Sequence, residues 1–313
     1  MNNRSFKAVL ALAGISALLG AISCARADIL YVTLSNNTIA KITSAGIGSV
    51  FASSGLSNPY GLAYDSAGNL YAANQSNNTI EKFTPGGVGS LFANTGLSGP
   101  EGLAFDSAGN LYAGNNTNNN GTTIEKFTPG GVGSVFANSG VSGPDGLAFD
   151  SAGNLFVANR GNNTIEKFTP GGVGTVFGST GVSNPQGLAF DSAGNLYVAN
   201  RANNNIQKYT PGGVSSIFVS SGLNGPAGLA FDSAGNLYAA NAGNSTIEKY
   251  SSTGTDLGVF ANSTNGISGI PEYLAFTSDA GVPLVLPPTP EPASVALLGL
   301  GALLLATRRR GKA

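Results

Sequence analysis

The segment from Gly187 to Val214, GLAFDSAGNLYVANRANNNIQKYTPGGV, recurs in close copies along most of this chain, and that repetition limits the fold more than any other feature. Its opening, GLAFDSAGN or a near variant, starts at Gly61, Gly102, Gly146, Gly187 and Gly228, and a decayed copy, YLAFTSDAG, starts at Tyr273. Successive starts lie 41, 44, 41, 41 and 45 residues apart. Because the repeat runs unbroken from Leu30 to Gly281, the 313 residues read as one closed body with an addition at each end.

Each unit holds four short strand signals. GLAFD and LYVAN are joined by Asp-Ser-Ala-Gly-Asn, which offers a hairpin loop a glycine and side-chain acceptors. TIEKF follows, and after TPGG a fourth segment such as GSVFA; in that turn Pro170 presets φ and Gly171 and Gly172 accept positive values. Leu and Phe, or Leu and Val, alternate with alanine or tyrosine, so both faces of the first two strands are expected to be buried. TIEKF breaks the alternation, as a bulge or an exposed outer strand would. A repeated four-stranded unit of this length is the size of a β-propeller blade, whose small twisted sheet buries its faces against its neighbours.

The blade count is six. LYxxN-type segments start at Leu30, Leu70, Leu111, Leu155, Leu196 and Leu237, whereas the GLAF-type segments start one step later and end at Tyr273. The two sets are therefore offset: the body begins with a second strand, DILYVT, and ends with a first strand. The expectation is an all-β, six-bladed propeller of four-stranded blades, closed by N- and C-terminal strands that share one blade and leave no open edge there.

Both ends carry targeting signals, and the chain divides into residues 1–27, 28–281, 282–292 and 293–313. Arg4 and Lys7, an apolar run from Ala8 to Ile22 and Ala25-Arg26-Ala27 form a signal peptide cleaved before Asp28. Cys24 supports a rival lipoprotein reading, but Ala21-Ile22-Ser23 lacks the leucine favoured three residues upstream. With this one cysteine the body has no internal disulfide. At the far end a Pro-rich linker leads through Pro290-Glu291-Pro292 into the apolar run Ala293–Ala306 and the cluster Arg308-Arg309-Arg310. Fourteen helical residues span about 21 Å against a hydrocarbon core of about 30 Å, which makes this a short anchor. These features resemble the PEP-CTERM sorting tail. The resemblance implies recognition by an exosortase-like enzyme, transient membrane anchoring with the arginines on the cytoplasmic side, tail removal, and delivery to the outer surface or extracellular matrix of a Gram-negative bacterium. An uncleaved membrane anchor is the alternative.

Residues 28–290 keep 8 of the 15 Lys and Arg and 15 of the 16 acids, a net charge of −7. No basic surface for nucleic acid remains. The pattern PxGLAFDxxGNLYVAN with NxIxKF resembles the NHL repeat over nearly all of the body. It departs at the end of the second strand, where that family usually has aspartate and this chain has Asn74, Asn115, Asn159, Asn200 and Asn241, with Leu34 at the first position. Such propellers serve as binding platforms, scaffolds and occasionally enzymes, so the resemblance speaks for fold rather than activity.

The turns at one end of the blades are nearly identical from copy to copy, and the variation gathers at the other end. There Tyr60, Glu101, Asp145, Gln186, Ala227 and Glu272 stand just before the first strands, and Arg160 and Arg201 lie in loops after the second. Tyr60, Glu101, Asp145, Arg160, Gln186, Arg201 and Glu272 are the candidate ligand face. Glu101, Asp145 and Glu272 would ring a channel mouth, and converging carboxylates either bind a cation such as calcium or raise one another's pKa. These positions resemble the metal ligands of the gluconolactonases and senescence-marker lactonases, also six-bladed, and PDGLAFDSAGN around Asp145 carries the likeness; Tyr60 and Ala227 cannot chelate. The strand-end asparagines either hydrogen-bond a glycan or cap their own loop backbone, the commoner habit of asparagine at turns. Repeated Glu-Lys pairs such as Glu81 with Lys82 are expected on a solvated outer strand.

The chain has no histidine, which excludes Ser-His-Asp catalysis, imidazole bases and His-ligated zinc. A virginiamycin-lyase-like activity is disfavoured for the same reason. Two functions stand: a non-catalytic propeller that binds a matrix polysaccharide, protein or small ligand, and a calcium-dependent lactonase-like hydrolase with Asp145 or Glu101 as base.

Overall fold

Local chemistry repeated six times builds six copies of one sheet. The computed structural model describes residues 28–117 and 121–278; the expected signal peptide and linker and the sorting tail lie outside the described residues. Blade I consists of β1 (Asp28–Leu34), β2 (Thr38–Ile42) and β3 (Gly48–Ala52) together with the last strand of the chain. Blade II holds β4 (Pro59–Tyr64), β5 (Leu70–Asn74), β6 (Thr79–Phe83) and β7 (Gly89–Ala93). Blade III holds β8 (Pro100–Phe105), β9 (Leu111–Asn115), β10 (Thr123–Phe127) and β11 (Gly133–Ala137). Blade IV holds β12 (Pro144–Phe149), β13 (Leu155–Asn159), β14 (Thr164–Phe168) and β15 (Gly174–Gly178). Blade V holds β16 (Pro185–Phe190), β17 (Leu196–Asn200), β18 (Asn205–Tyr209) and β19 (Ser215–Val219). Blade VI holds β20 (Pro226–Phe231), β21 (Leu237–Asn241), β22 (Thr246–Tyr250) and β23 (Asp256–Ala261). The final strand, β24 (Pro271–Ser278), pairs antiparallel with β1, and blade I takes the order β24-β1-β2-β3.

Closure thus joins the two ends of the body. Leu30 pairs with Phe276 and Val32 with Leu274, so blade I cannot form until the last strand arrives. The innermost strands β4, β8, β12, β16, β20 and β24 touch one another in sequence, and β24 touches β4 to complete the ring.

The core lies between blades. In one such layer Tyr71, Ala73, Ile80 and Ala93 of blade II pack on Leu103, Leu111, Ala113 and Phe127 of blade III. Tyr71 meets Phe92 of its own blade edge-on at 4.9 Å and Phe105 of the next at 5.0 Å, and the motif recurs around the ring. Each such pair contributes about 0.5–1.5 kcal/mol beyond the area it buries. In blades II, III, V and VI the aromatic residue is a tyrosine whose hydroxyl reaches the turn: Tyr71 donates to Asp65 at 3.2 Å, and Lys82 stands 3.5 Å from the same carboxylate and 5.2 Å over the Tyr71 ring.

Two expectations need correction here, and the reading of TIEKF holds in one of its two forms. The Glu-Lys pairs lie on third strands and not on outer ones. Glu125, Glu166 and Glu248 are buried, with carboxyls raised by that burial, while their lysines turn to the opposite face to hold the turn aspartates. The irregularity of TIEKF is a bulge, a register shift between Ile80 and Glu81 against β7 that repeats in every blade. The first strands begin at the proline, two residues before Gly61 or its equivalents, with a second register shift between Pro59 and Leu62. Residues expected just before the strand, Tyr60 among them, are therefore part of it.

Candidate functional site

The inner strands come close enough to form a tight ring because their third residue is glycine. A Cβ on Gly61, Gly102, Gly146, Gly187 or Gly228 would run into the backbone of the next blade, at the carbonyl of Glu101, Asp145, Gln186, Ala227 or Glu272 respectively. This contact aligns those five residues, with Tyr60, around one end of the channel. In blade I the series breaks: Pro-x-Gly-Leu-Ala-Phe becomes Pro271-Glu272-Tyr273-Leu274-Ala275-Phe276. Tyr273 stands where every other blade has glycine. Its hydroxyl crosses the channel to donate to Asp145 of blade IV, the blade three places away.

Around this bar the seven candidate residues converge. Glu101 and Asp145 are each only 1 % exposed, Gln186 is buried, Glu272 is 9 % exposed, and Tyr60, Arg160 and Arg201 are half-buried. Arg160 places Nη1 3.7 Å from Asp145 Oδ2, and Arg201 Nη1 donates to Gln186 Oε1 at 3.2 Å. Glu101 accepts from Gln75 Nε2 at 2.5 Å and from Asn116 Nδ2 at 2.7 Å. Tyr60 tilts against Tyr273 with ring centroids 6.4 Å apart. Thr33 ties the rim together, donating to the Tyr60 carbonyl at 2.8 Å and accepting from the Tyr273 N–H at 3.0 Å.

Sequence reasoning missed Tyr273, Gln75 and Asn116. The break in the glycine series marks the first. The other two share the position directly after the strand-end asparagine that Arg160 and Arg201 occupy, so that position contributes a second circle of mouth residues.

Burial decides the charge state. Desolvation, reinforced by the neighbouring Asp145 charge, pushes the Glu101 carboxyl up to about 9 against the donors Asn116, Arg160 and Gln75. Asp145 is also raised by burial, opposed by the Tyr273 hydroxyl, Arg160 and Arg201. Glu272 is pushed up to about 7, again by burial, with Arg201 pulling the other way. Like charges this close in a dry site share protons, and Glu101 with Asp145 holds one at neutral pH. Two buried acceptors, Asp145 Oδ2 and Asn116 Oδ1, have no hydrogen-bond partner.

A shared calcium ion does not fit this donor set. Among the described residues no group of three or more His, Cys, Asp or Glu side chains has the geometry to hold a metal. The carboxylates that would be ligands are engaged instead by Arg160, by the Tyr273 hydroxyl and by the Gln75 and Asn116 amides. Arg160 supplies the positive charge next to Asp145 that the metal reading assigned to an ion.

The strand-end asparagines are loop caps. Asn159 accepts from the Ser142 N–H at 3.0 Å and donates to the Gly140 carbonyl at 2.8 Å, and Asn74, Asn115, Asn200 and Asn241 do the same in their blades. They hold the loop that enters the blade and are buried, at most 4 % exposed. A cavity of about 220 Å³ lies on the opposite, turn face between blades V and VI, lined by Asp191, Tyr197, Phe231 and Ser233 among others. Its walls are the repeated turn and its aromatic partner, so it reflects blade packing and holds none of the mouth residues.

The chain is similar to known proteins in parts and in shape. The NHL repeat family matches residues 183–209, the PEP-CTERM protein-sorting motif matches residues 288–310, and the N-terminal region of the strictosidine synthase-like family matches residues 90–117. The sorting motif marks an exported chain with a membrane-associated C-terminal tail. No curated protein matches the chain. Among solved structures, a chain of a nidogen/laminin complex superposes with TM-score 0.70 at 19% identity, covering 80% of this chain and 98% of that one. Virginiamycin B lyase from Staphylococcus aureus follows at 0.60 and 20%, covering 79% and 87%, and a gluconolactonase from Xanthomonas campestris at 0.60 and 15%, covering 80% and 92%. At these identities the likeness is one of fold.

Proposed function

We propose that this exported propeller is a non-catalytic binding module of the cell surface or extracellular matrix, processed by an exosortase-type enzyme, and that its mouth takes a hydroxyl-rich ligand such as a matrix polysaccharide. The observation that carries the reading is the pairing of two half-buried guanidiniums, on Arg160 and Arg201, with an acidic floor that fixes their positions. The half-exposed Tyr60 ring beside them gives a sugar face an apolar surface. With the Glu101–Asp145 pair holding a proton and two guanidiniums beside it, the mouth as a whole carries little net charge and suits an uncharged polyol better than an ion.

Geometry also supports outward display. β24 begins at the mouth with Glu272 and ends at the turn face, where Ser278 pairs with Asp28 and Asp28 Oδ2 accepts from the Ser233 N–H at 2.8 Å in the turn of blade VI. The described chain thus ends on the face opposite the mouth, and a tether anchored at that face presents the mouth away from the membrane.

The test is binding of the exported protein to an array of polysaccharides and matrix proteins, with Arg160→Ala and Arg201→Ala alongside. The expected result is saccharide binding weakened at least tenfold by each substitution. Binding untouched by both, or turnover of a lactone by the wild-type protein, would overturn the reading.

A further inference from the structure

We propose that blade VI binds a hard divalent cation, calcium by its chemistry, through the carboxylates of Glu248 and Asp256, between β22, β23 and the loop that leads into the blade. The site shares no residue with the mouth and does not depend on the function proposed there.

One departure from the repeat creates it. In blades II to VI the middle residue of the third strand, Glu81, Glu125, Glu166, Gln207 or Glu248, lies against a left-handed glycine of the loop leading into the blade. Opposite the last residue of that strand, blades I to V carry Gly48, Gly89, Gly133, Gly174 and Ser215, whereas blade VI carries Asp256. Five blades fold without an acid here, so the sheet does not require one. Among the described residues blade VI alone sets a second carboxylate beside the first.

The oxygens converge. A Cβ built on Gly222 would stand 2.6 Å from Asp256 Oδ2, 3.0 Å from Glu248 Oε1 and 3.1 Å from the Tyr250 hydroxyl oxygen, and Gly222, at φ 68°, has no side chain to fill the space in front of them. The two carboxylate oxygens are therefore within about 5.6 Å of each other, the sum of the first two distances. A calcium ion with ligands at about 2.3–2.6 Å bridges such a pair with a small turn of the exposed Asp256 side chain.

All three groups are acceptors here. Tyr250 commits its proton to the Ser221 carbonyl at 2.9 Å, and Asp256 Oδ1 takes the Gly258 N–H at 2.9 Å, which leaves Oδ2 for the site. Glu248 is 7% exposed, and its Oε2 is buried with no hydrogen-bond partner. Among the described residues neither carboxylate has an ion-pair partner; Lys249 stands 3.6 Å from Asp232, on the opposite face of β22. Burial, reinforced by the Asp256 charge, raises the Glu248 carboxyl, as expected of two negative groups without a counter-charge. A cation supplies that charge, with water in the positions left open beside Asp256. Calcium suits the irregular oxygen set better than magnesium, which demands a near-ideal octahedron. Two carboxylates place the affinity in the weak extracellular class, Kd about 0.1–1 mM, in keeping with an exported chain.

The experiment is calorimetric titration of calcium chloride into the chelator-stripped exported protein in about 0.1 M salt, which screens surface attraction. Terbium is the second probe, since Tyr250 beside the site sensitises its emission. Asp256→Gly and Glu248→Gln install residues that other blades carry at the same positions, as at Gly89 and Gln207, so both variants keep the fold, and circular dichroism checks this. The expected wild-type result is one site of Kd about 0.1–1 mM and a Tm raised by roughly 3–6 °C in about 10 mM calcium. Each variant weakens binding at least tenfold and loses the terbium emission that calcium displaces, whereas Glu166→Gln, at the same strand position in blade IV, leaves both unchanged. A wild-type Kd above about 10 mM, folded Asp256→Gly and Glu248→Gln variants that bind calcium as tightly as wild type, or equal weakening by Glu166→Gln overturns the inference.

Discussion

Replacing Tyr273 with phenylalanine tests the organisation of the mouth directly. The substitution keeps the ring against Tyr60 and removes only the hydroxyl that donates across the channel to Asp145. Asp145 is 1 % exposed, its Oδ2 already has no hydrogen-bond partner, and its nearest guanidinium nitrogen, on Arg160, lies 3.7 Å away. No water-exposed surface compensates for the lost donor. A buried acceptor left unsatisfied costs about 1–3 kcal/mol, more where it carries charge, so Tyr273→Phe should destabilise the fold by about 2–3 kcal/mol at pH 7. For a body of this size that corresponds to a drop in Tm of roughly 5–10 °C. Calorimetry at pH 7 and at pH 5 provides the assay. The hydroxyl favours the ionised Asp145, so its removal lifts an already raised carboxyl further, and the deficit should shrink at the lower pH as protons neutralise the site. A change in Tm under about 1 °C at pH 7, or a deficit that grows on acidification, would refute the account of an Asp145 carboxyl held across the channel.

Other consequences follow from the same geometry. Glu101 binds its proton up to about pH 9 in the fold but only to about 4.5 when unfolded. The folded state holds the extra proton in that window, stability falls as pH rises through it, by up to about 1.4 kcal/mol per pH unit, and Glu101→Gln should flatten the denaturant-midpoint profile between pH 5 and 9. If wild type gains stability across that range, the protonated pair is wrong. Asn159→Ala should cost about 1–3 kcal/mol in urea unfolding, because it strips partners from the Ser142 N–H and the Gly140 carbonyl; Asn77→Ala, at an exposed turn, should cost little.

Much of the fold was legible because its determinants are local and stated six times over. Turn chemistry at Asp-Ser-Ala-Gly-Asn and Thr-Pro-Gly-Gly and alternating apolar residues act within a dozen residues, and the offset between first and second strands showed which termini must share a blade. The same reading located the variable face and with it Tyr60, Glu101, Asp145, Arg160, Gln186, Arg201 and Glu272. It misjudged the Glu-Lys strands because a charged pair in a linear pattern does not reveal that the glutamate turns into a blade interface while the lysine folds back over Tyr71 or its equivalents. The calcium reading found no support for a related reason: three carboxylates at equivalent positions do not reveal what stands between them.

By itself, then, the sequence determined the number of blades, the order of strands and the joint between the ends, since each depends on neighbours along the chain and on counting. Only the tertiary structure decided which residues meet at the mouth. Tyr273 and Asp145 are 128 residues apart and become partners because the ring closes and sets their blades on opposite sides of the channel. Glu101 binds a proton at neutral pH because the surrounding blades exclude water from it, and no stretch of sequence specifies that exclusion before the ring is complete.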